Sequence, residues 1–270
     1  MASVQLEHGG GLAYREAAPK GEESGPPVVL VHGFPESSRM WAGLMEGLAG
    51  AGRRALAPDL YCLGDSDDPG PATFERNLEA LTSWHAELGL GEVAVVVHDW
   101  GGFIGLAWAC DHPDSVTALS ISNTGFFADG RWHGMAKAMR SEQGEELIAA
   151  LDRDGFAALL RADGAGFSDE DVDAYWRPFA EGRGREATLE FYRSMDFSKL
   201  EPYDGKLPEL GVPTLLLWGA DDKFAPIGGA HRFRREIPGA ELVAIEDAGH
   251  FVFETEPARC SEEVVTFLAE

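Results

Sequence analysis

The 270-residue chain has few cysteines and few basic residues. Its three cysteines, Cys62, Cys110 and Cys260, are widely separated and lack the spacing of metal ligands. An odd number at such spacing argues against a disulfide framework and against a zinc site. Lys and Arg number 22 against 46 Asp and Glu, which gives a formal net charge of -24. Because this charge would repel phosphate backbones and anionic membrane surfaces, we expect no nucleic-acid or membrane partner.

The chain also lacks long apolar runs. No stretch approaches the ~20 apolar residues that a membrane-spanning helix needs. Residues 1–11 contain no basic segment followed by an apolar run, which a secretion signal would show. We therefore expect a cytoplasmic protein with reduced thiols, without a metal or another cofactor. The sequence gives no information on the oligomeric state.

Short β-branched runs alternate with longer helical patterns along most of the chain. This alternation predicts an α/β protein with a mostly parallel, eight-stranded sheet flanked by helices on both faces. A segment split by three glycines, residues 4–16, predicts an antiparallel hairpin at the sheet edge. The predicted buried strands are residues 28–31, 54–57, 93–97, 116–122, 214–218 and 241–245. The predicted helices beside them are residues 73–88, 102–110 and 257–268.

The strand pattern disappears between residues 126 and 206. Helical stretches are predicted there at residues 134–140, 145–160 and 168–179, with a Gly- and Asp-containing loop at residues 163–166. This region is interpreted as an inserted helical cap, residues 126–206. It would divide an α/β core into a first part, residues 1–125, and a second part, residues 207–270.

The most informative motif is a buried strand that passes into a tight glycine turn and then a helix, residues 93–102. Asp99 occupies the tip of this turn, where serine hydrolases of the same geometry carry serine. The alternative is that Asp99 only caps the following helix. A carboxylate with a reference pKa of ~3.9 is ionised at neutral pH and needs no base to become a nucleophile. Asp99 could therefore displace a leaving group from saturated carbon.

The ester that this attack forms on Asp99 must be hydrolysed by activated water, which requires a base. His250 is the candidate because it directly follows the last predicted strand. Asp222, just after the strand at residues 214–218, is predicted to orient the imidazole. Asp221 is the alternative, but only its proximity favours it. The remaining candidate histidines fit helix, surface or hairpin positions: His8, His85, His112 and His231.

A glycine-bearing loop, residues 32–38, follows the first long strand and can aim a backbone N–H into the site. We expect the N–H groups of Phe34 and Trp100 to form an oxyanion hole for ester hydrolysis. The side chains of Phe34, Trp100 and Trp132 are expected to line a pocket for a small apolar electrophile.

These motifs resemble the α/β-hydrolase branch that contains epoxide hydrolases and haloalkane or haloacetate dehalogenases. His-Gly-Phe-Pro-Glu at residues 32–36 looks most like epoxide hydrolases, and His-Asp-Trp-Gly-Gly at residues 98–102 is shared by both groups. The spacing from Gly219 to Asp222 is also similar to the family pattern. The resemblance implies the α/β-hydrolase fold and conversion of an epoxide to a vicinal diol, with haloalkane dehalogenation as the alternative.

Within this resemblance, cap residues distinguish the two activities. Epoxide opening needs acids that protonate the developing alkoxide, usually two tyrosines, whereas dehalogenases cradle the halide with N–H groups, often of tryptophan. Tyr192 is similar to the second ring-opening tyrosine. His133 resembles a bacterial variant in which histidine pairs with that tyrosine. Tyr192 and His133 are therefore the predicted proton donors, with ordinary packing as the alternative for both and for Trp132.

Other positions depart from one or the other group. Phe34 stands where many haloalkane dehalogenases have an asparagine or glutamate that holds the halide, which favours epoxides. Val97 and residues 122–125 are instead similar to dehalogenases, so both substrates stay open. Trp100 stands where haloacetate dehalogenases have arginine, which disfavours charged haloacids.

A non-catalytic receptor or scaffold of the same fold is a further alternative, because fold does not fix function. The simultaneous presence of Asp99, Asp222 and His250 argues against it.

Overall fold

The computed structural model describes residues 4–66 and 70–269. They form one eight-stranded sheet in the order β1-β2-β4-β3-β5-β6-β7-β8. Strand β2 pairs antiparallel with β1 and β4, and the remaining neighbours are parallel. The strands are β1 (Gln5–Gly9), β2 (Leu12–Ala17), β3 (Val28–Val31), β4 (Ala55–Pro58), β5 (Val93–His98), β6 (Val116–Ser122), β7 (Thr214–Gly219) and β8 (Glu241–Ile245). The predicted mostly parallel sheet and its edge hairpin are confirmed.

Twelve α-helices accompany this sheet in the described part of the chain. Before β7 they are α1 (Ala42–Gly50), α2 (Phe74–Glu87), α3 (Trp100–Asp111), α4 (Gly134–Arg140), α5 (Gly144–Ala150), α6 (Arg153–Leu160), α7 (Asp169–Glu181), α8 (Gly184–Ser194) and α9 (Lys206–Glu209). After β7 they are α10 (Gly228–Glu236), α11 (Val252–Thr255) and α12 (Pro257–Ala269). None of these helices has the length and apolar character needed to cross a bilayer.

The six predicted buried strands agree with the observed ones to within one residue at each end. The single helix predicted at residues 145–160 is wrong, because α5 ends at Ala150 and α6 begins at Arg153. The Asp152 carboxylate accepts a hydrogen bond from Gly155 N at 2.8 Å and thereby starts a new helix. Helices α1, α8, α9, α10 and α11 were not predicted. Helices α9 and α11 have only four residues each. The other three begin with or contain glycine, which lowers intrinsic helix propensity, so tertiary packing stabilises them.

The region between β6 and β7 contains helices and no strand among its described residues. We call residues 126–206 the helical segment. It contacts the loop that follows β3, because Phe34 in that loop lies edge-on to Phe179 of α7, with ring centroids 6.1 Å apart. Arg39, which follows the same loop, forms an ion pair with Asp171 at 3.1 Å. The helical segment therefore lies against the end of a central strand.

The turn between β5 and α3 has a constrained backbone. Asp99 adopts φ 48° and ψ -118°, an unusual conformation for a residue with a side chain. A Cβ on Gly101 would lie 2.1 Å from the backbone oxygen of Val31. A Cβ on Gly102 would lie 2.1 Å from Thr124 Oγ1. The two glycines therefore allow α3 to pack directly against the ends of β3 and β6.

Replacing Gly101 with alanine tests this constraint. The new Cβ cannot fit without backbone movement, so we expect Gly101→Ala to lower the free energy of unfolding by about 1–3 kcal/mol or more. Gly43→Ala in α1 is the matched control, because a Cβ there meets no atom within 4 Å. The control should be neutral or slightly stabilising. Equal stability of the two variants in urea unfolding would contradict the interpretation.

Candidate active site

Asp99 lies at the tip of the β5–α3 turn with both carboxylate oxygens engaged. Its Oδ1 accepts a hydrogen bond from the backbone N–H of Phe34 at 2.8 Å. Its Oδ2 lies 3.3 Å from Nε2 of His250. Burial alone would raise the pKa of Asp99, but the hydrogen bond and charge of His250 outweigh burial and lower it. Asp99 is therefore held as a carboxylate facing His250.

His250 contacts a second carboxylate through its other ring nitrogen. Nδ1 of His250 lies 2.8 Å from Oδ2 of Asp222. Burial would lower the pKa of His250, but Asp222 and Asp99 raise it well above its ordinary value. The imidazole is therefore positioned between two negative charges, with Asp99 at Nε2 and Asp222 at Nδ1.

Asp222 is buried and held by three further donors. Its Oδ1 accepts from the backbone N–H groups of Phe224 at 2.7 Å and Ala225 at 2.9 Å. Its Oδ2 accepts from Nδ2 of Asn123 at 2.7 Å. Burial would raise the pKa of Asp222, but the charge and hydrogen bond of His250, together with these donors, lower it. Asp221, the alternative considered from sequence, makes no such contact with His250 in the described structure.

Asn123 was not predicted as a site residue. It follows β6 with φ 44°, and its Oδ1 also accepts from Gly219 N at 3.2 Å. This side chain therefore connects the ends of β6 and β7 behind Asp222. Its position directly after a buried parallel strand could have identified it, because the carboxyl ends of such strands meet at one edge of the sheet.

A second buried pair, Glu36 and His98, was also not predicted. His98 Nε2 lies 3.6 Å from Glu36 Oε2, and both side chains are fully buried. Burial and the charge of His250 lower the pKa of His98 to about 3. Burial and the nearby Glu254 raise the pKa of Glu36 well above its ordinary value. Both groups are therefore neutral, and the His98 ring lies 5.1 Å from that of His250 between centroids.

Tyr192 of α8 is buried beside Asp99. Its ring lies edge-on to those of Trp100 at 4.8 Å and Phe34 at 5.9 Å between centroids. Burial and the negative charge of Asp99 raise the pKa of Tyr192 well above its ordinary value, although the nearby Trp100 side chain opposes them. The phenol is therefore neutral and retains its proton.

His133 precedes α4 and caps it. Its Nδ1 accepts from the backbone N–H of Ala136 at 3.4 Å. Burial lowers the pKa of His133, although the charge of Asp99 opposes it. In the neutral ring an accepting Nδ1 leaves the proton on Nε2. The ring centroids of His133 and Tyr192 are 6.4 Å apart, so the two predicted donors are neighbours.

A cavity of about 240 Å³ lies in front of Asp99, and we call it the reaction cavity. Trp100, Trp132 and His133 share its wall with Asp99. Nε1 of Trp132 is buried and has no hydrogen-bond acceptor among the described residues. Phe34, predicted to line the same pocket, instead lines two other spaces, one of which it shares with Asp99.

The α/β-hydrolase fold family model matches residues 26–257. A haloalkane dehalogenase of Sphingobium indicum is 31% identical over 92% of this chain and 90% of its own length. The structure of a haloalkane dehalogenase from Agrobacterium tumefaciens has a TM-score of 0.82 and 25% identity, covering 99% of this chain and 96% of that one. An epoxide hydrolase from Vigna radiata shares the fold with a TM-score of 0.80 and 22% identity, covering 99% of this chain and 98% of that one.

The family match spans both parts of the sheet and the helical segment between them. The region includes Asp99, Asp222 and His250, each directly after or close to the end of a parallel strand. This chain belongs to the α/β-hydrolase fold family.

Proposed function

We propose that this protein hydrolyses epoxides to vicinal diols through a covalent ester on Asp99. The observation that carries the proposal is the arrangement of His250 between Asp99 and Asp222, with the neutral phenol of Tyr192 beside Asp99. In this proposal the helical segment acts as a cap that covers the carboxyl edge of the sheet. The substrate is a small apolar electrophile held in the reaction cavity.

In the first step, a carboxylate oxygen of Asp99 attacks one ring carbon of the epoxide. The carbon–oxygen bond of the ring breaks and its electron pair stays on oxygen. Because an alkoxide is a poor leaving group, this charge requires a proton donor. Tyr192 can supply the proton, since burial keeps its hydroxyl protonated. His133 is the second donor through the proton on Nε2.

In the second step, water attacks the ester carbonyl carbon of Asp99 while His250 removes its proton. The N–H of Phe34 already contacts Asp99 Oδ1 at 2.8 Å, so it can stabilise the tetrahedral oxyanion. The N–H of Trp100, at the start of α3, is the second proposed donor. On collapse the second proton of the water passes to the departing alkoxide oxygen, which releases the diol, restores the carboxylate of Asp99 and leaves His250 protonated as in the free enzyme.

The charges around His250 fit this sequence of steps. In the free enzyme, Asp99 and Asp222 together raise the pKa of His250. Alkylation converts Asp99 into a neutral ester and removes one of these charges. The pKa of His250 must then fall, because only Asp222 still stabilises the imidazolium. The imidazolium can then pass its proton to the Tyr192 phenolate, and the neutral His250 is available to accept a proton from water.

The position of Tyr192 favours the epoxide over a halide. Its ring lies edge-on to the Trp100 indole, with centroids 4.8 Å apart, and its hydroxyl keeps its proton beside Asp99. An alkoxide needs such an acid, whereas a halide leaves without a proton.

Haloalkane dehalogenation is the second candidate because of Trp132. Its buried N–H has no acceptor among the described residues, and the residue lines the reaction cavity with Asp99. An N–H in this position could bind a departing halide. The similarity to the Sphingobium indicum haloalkane dehalogenase supports the same candidate.

The covalent step can be tested in Asp99→Ala. We expect this variant to lose turnover, because alanine supplies no nucleophile. In wild-type enzyme, a single turnover in water enriched in heavy oxygen should place the label in the protein before it reaches the diol. Retained activity in freshly prepared Asp99→Ala, or label found only in first-turnover product, would reject the ester mechanism.

His250→Gln should stop the reaction after alkylation, because ester formation needs Asp99 but hydrolysis needs the base. Intact-mass spectrometry should then detect a stable adduct. An epoxide adds its whole mass to the protein, whereas a haloalkane adds its mass without the hydrogen halide. Normal turnover, or no mass gain with an accepted substrate, would require another base.

Tyr192→Phe and Trp100→Phe separate the two candidate reactions. We expect Tyr192→Phe to slow epoxide opening within the ~10²–10⁴-fold range of positioned acid catalysis. The double variant Tyr192→Phe with His133→Ala should be slower still. Trp100→Phe should be tolerated better, because the backbone N–H remains. Bromide release that is impaired by Trp100→Phe and unchanged by Tyr192→Phe would favour dehalogenation instead.

A further inference from the structure

We propose that the preferred substrate is a 1,2-disubstituted epoxide, with one apolar group in the reaction cavity and a hydrocarbon group in a second cavity within the helical segment. This inference rests on the proposed function. The second cavity has no role in the reaction steps, and we expect it to determine which epoxides the site selects.

The second cavity, which we call the distal cavity, has a volume of about 270 Å³. Its wall is formed by residues of α4, α5, α6 and α8 and by Phe34. The apolar residues from the helical segment include Met139, Ile148, Leu151 and Leu159. The flexible Met139 side chain can adapt to guests of different shape. An apolar wall of this kind selects a hydrocarbon group.

Of the two hydroxyl groups in this wall, one already has a hydrogen-bond partner and the other takes part in the proposed reaction. The hydroxyl of Thr188 donates to the Gly184 carbonyl at 2.7 Å, so it does not need a ligand. The other residue with a hydroxyl is Tyr192, which lines both the distal cavity and the narrower space beside Asp99. A guest in the distal cavity therefore meets hydrocarbon surface except at the end next to Tyr192.

A narrow space beside Asp99 shares lining residues with both cavities. This narrow space of about 20 Å³ is lined by Asp99 and His133, which also line the reaction cavity. Its wall also includes Tyr192 and Leu159, which line the distal cavity. An epoxide ring in this narrow space would contact the nucleophile and the proton donors. Substituents on its two carbons would then extend into opposite cavities.

The two volumes indicate the size of these substituents. An apolar cavity of ~150 Å³ holds benzene. The reaction cavity, about 240 Å³, and the distal cavity, about 270 Å³, are both larger than this. Each can therefore hold a phenyl-sized group. A terminal epoxide such as styrene oxide fills one cavity, whereas trans-stilbene oxide places a phenyl group in each.

The first measurement compares trans-stilbene oxide with styrene oxide on the wild-type enzyme. We expect kcat/KM to be at least about tenfold higher for trans-stilbene oxide, because a single methylene in an apolar pocket already gives ~10-fold discrimination. A preference for styrene oxide would overturn the inference and leave the proposed function intact. If neither epoxide is opened, the proposed function fails and the substrate class fails with it.

The second experiment fills the distal cavity with a larger side chain. Leu151→Trp should lower the ratio of the two kcat/KM values by about tenfold or more, since indole bulk replaces the second phenyl group. Ala150→Trp is the matched control, because Ala150 directly precedes Leu151 in the chain and its side chain is exposed. It should leave both rates unchanged. If Leu151→Trp does not fold, Met139→Trp fills the same cavity from α4. An unchanged ratio in a folded filling variant would overturn the inference.

Discussion

The absence of a side chain at residue 101 is the steric constraint on which the site depends. A Cβ there would collide with the backbone of β3, so α3 could not start where it does. The close approach holds Asp99 in its positive-φ conformation at the helix N-terminus. A Cβ on Gly33 would likewise lie 2.4 Å from Asp99 Cβ. Backbone packing on both sides therefore aims the carboxylate toward His250.

Burial and neighbouring charges determine which side chains of the site are ionised. Asp99 and Asp222 remain ionised despite burial because His250 lies between them. Glu36 and His98 are neutral because burial outweighs the opposite charges near them. Asp99, Asp222 and His250 therefore carry charge. The neighbouring Glu36 and His98 add no charge to the site. The mechanism proposed for His250 needs this separation, since its pKa must respond mainly to the state of Asp99.

The strands of the sheet and the candidate residues at their ends could be predicted from the sequence. Alternating β-branched runs and glycine turns are local signals that a single segment of the chain carries. Asp99, Asp222 and His250 come together since parallel strands bring their carboxyl ends to one edge. Asn123 carried the same signal and was missed because an amide has no reactive role of its own. The break between α5 and α6 could not be predicted, and neither could the distal cavity. Both depend on how amphipathic helices pack against one another, and this packing cannot be inferred from single residues such as Met139 and Leu151.

The choice between epoxide and halide chemistry depends on a contact that the sequence could not reveal. Trp100 and Tyr192 are distant in the chain, yet their rings lie edge-on with centroids 4.8 Å apart. This packing buries the phenol of Tyr192 beside Asp99, where it keeps its proton. The alkoxide that forms from an epoxide needs a proton, whereas a departing halide does not. In the proposed reaction, an epoxide oxygen would have the hydroxyl of Tyr192 and the Nε2 proton of His133. The presence of these two acids near the nucleophile therefore favours the epoxide.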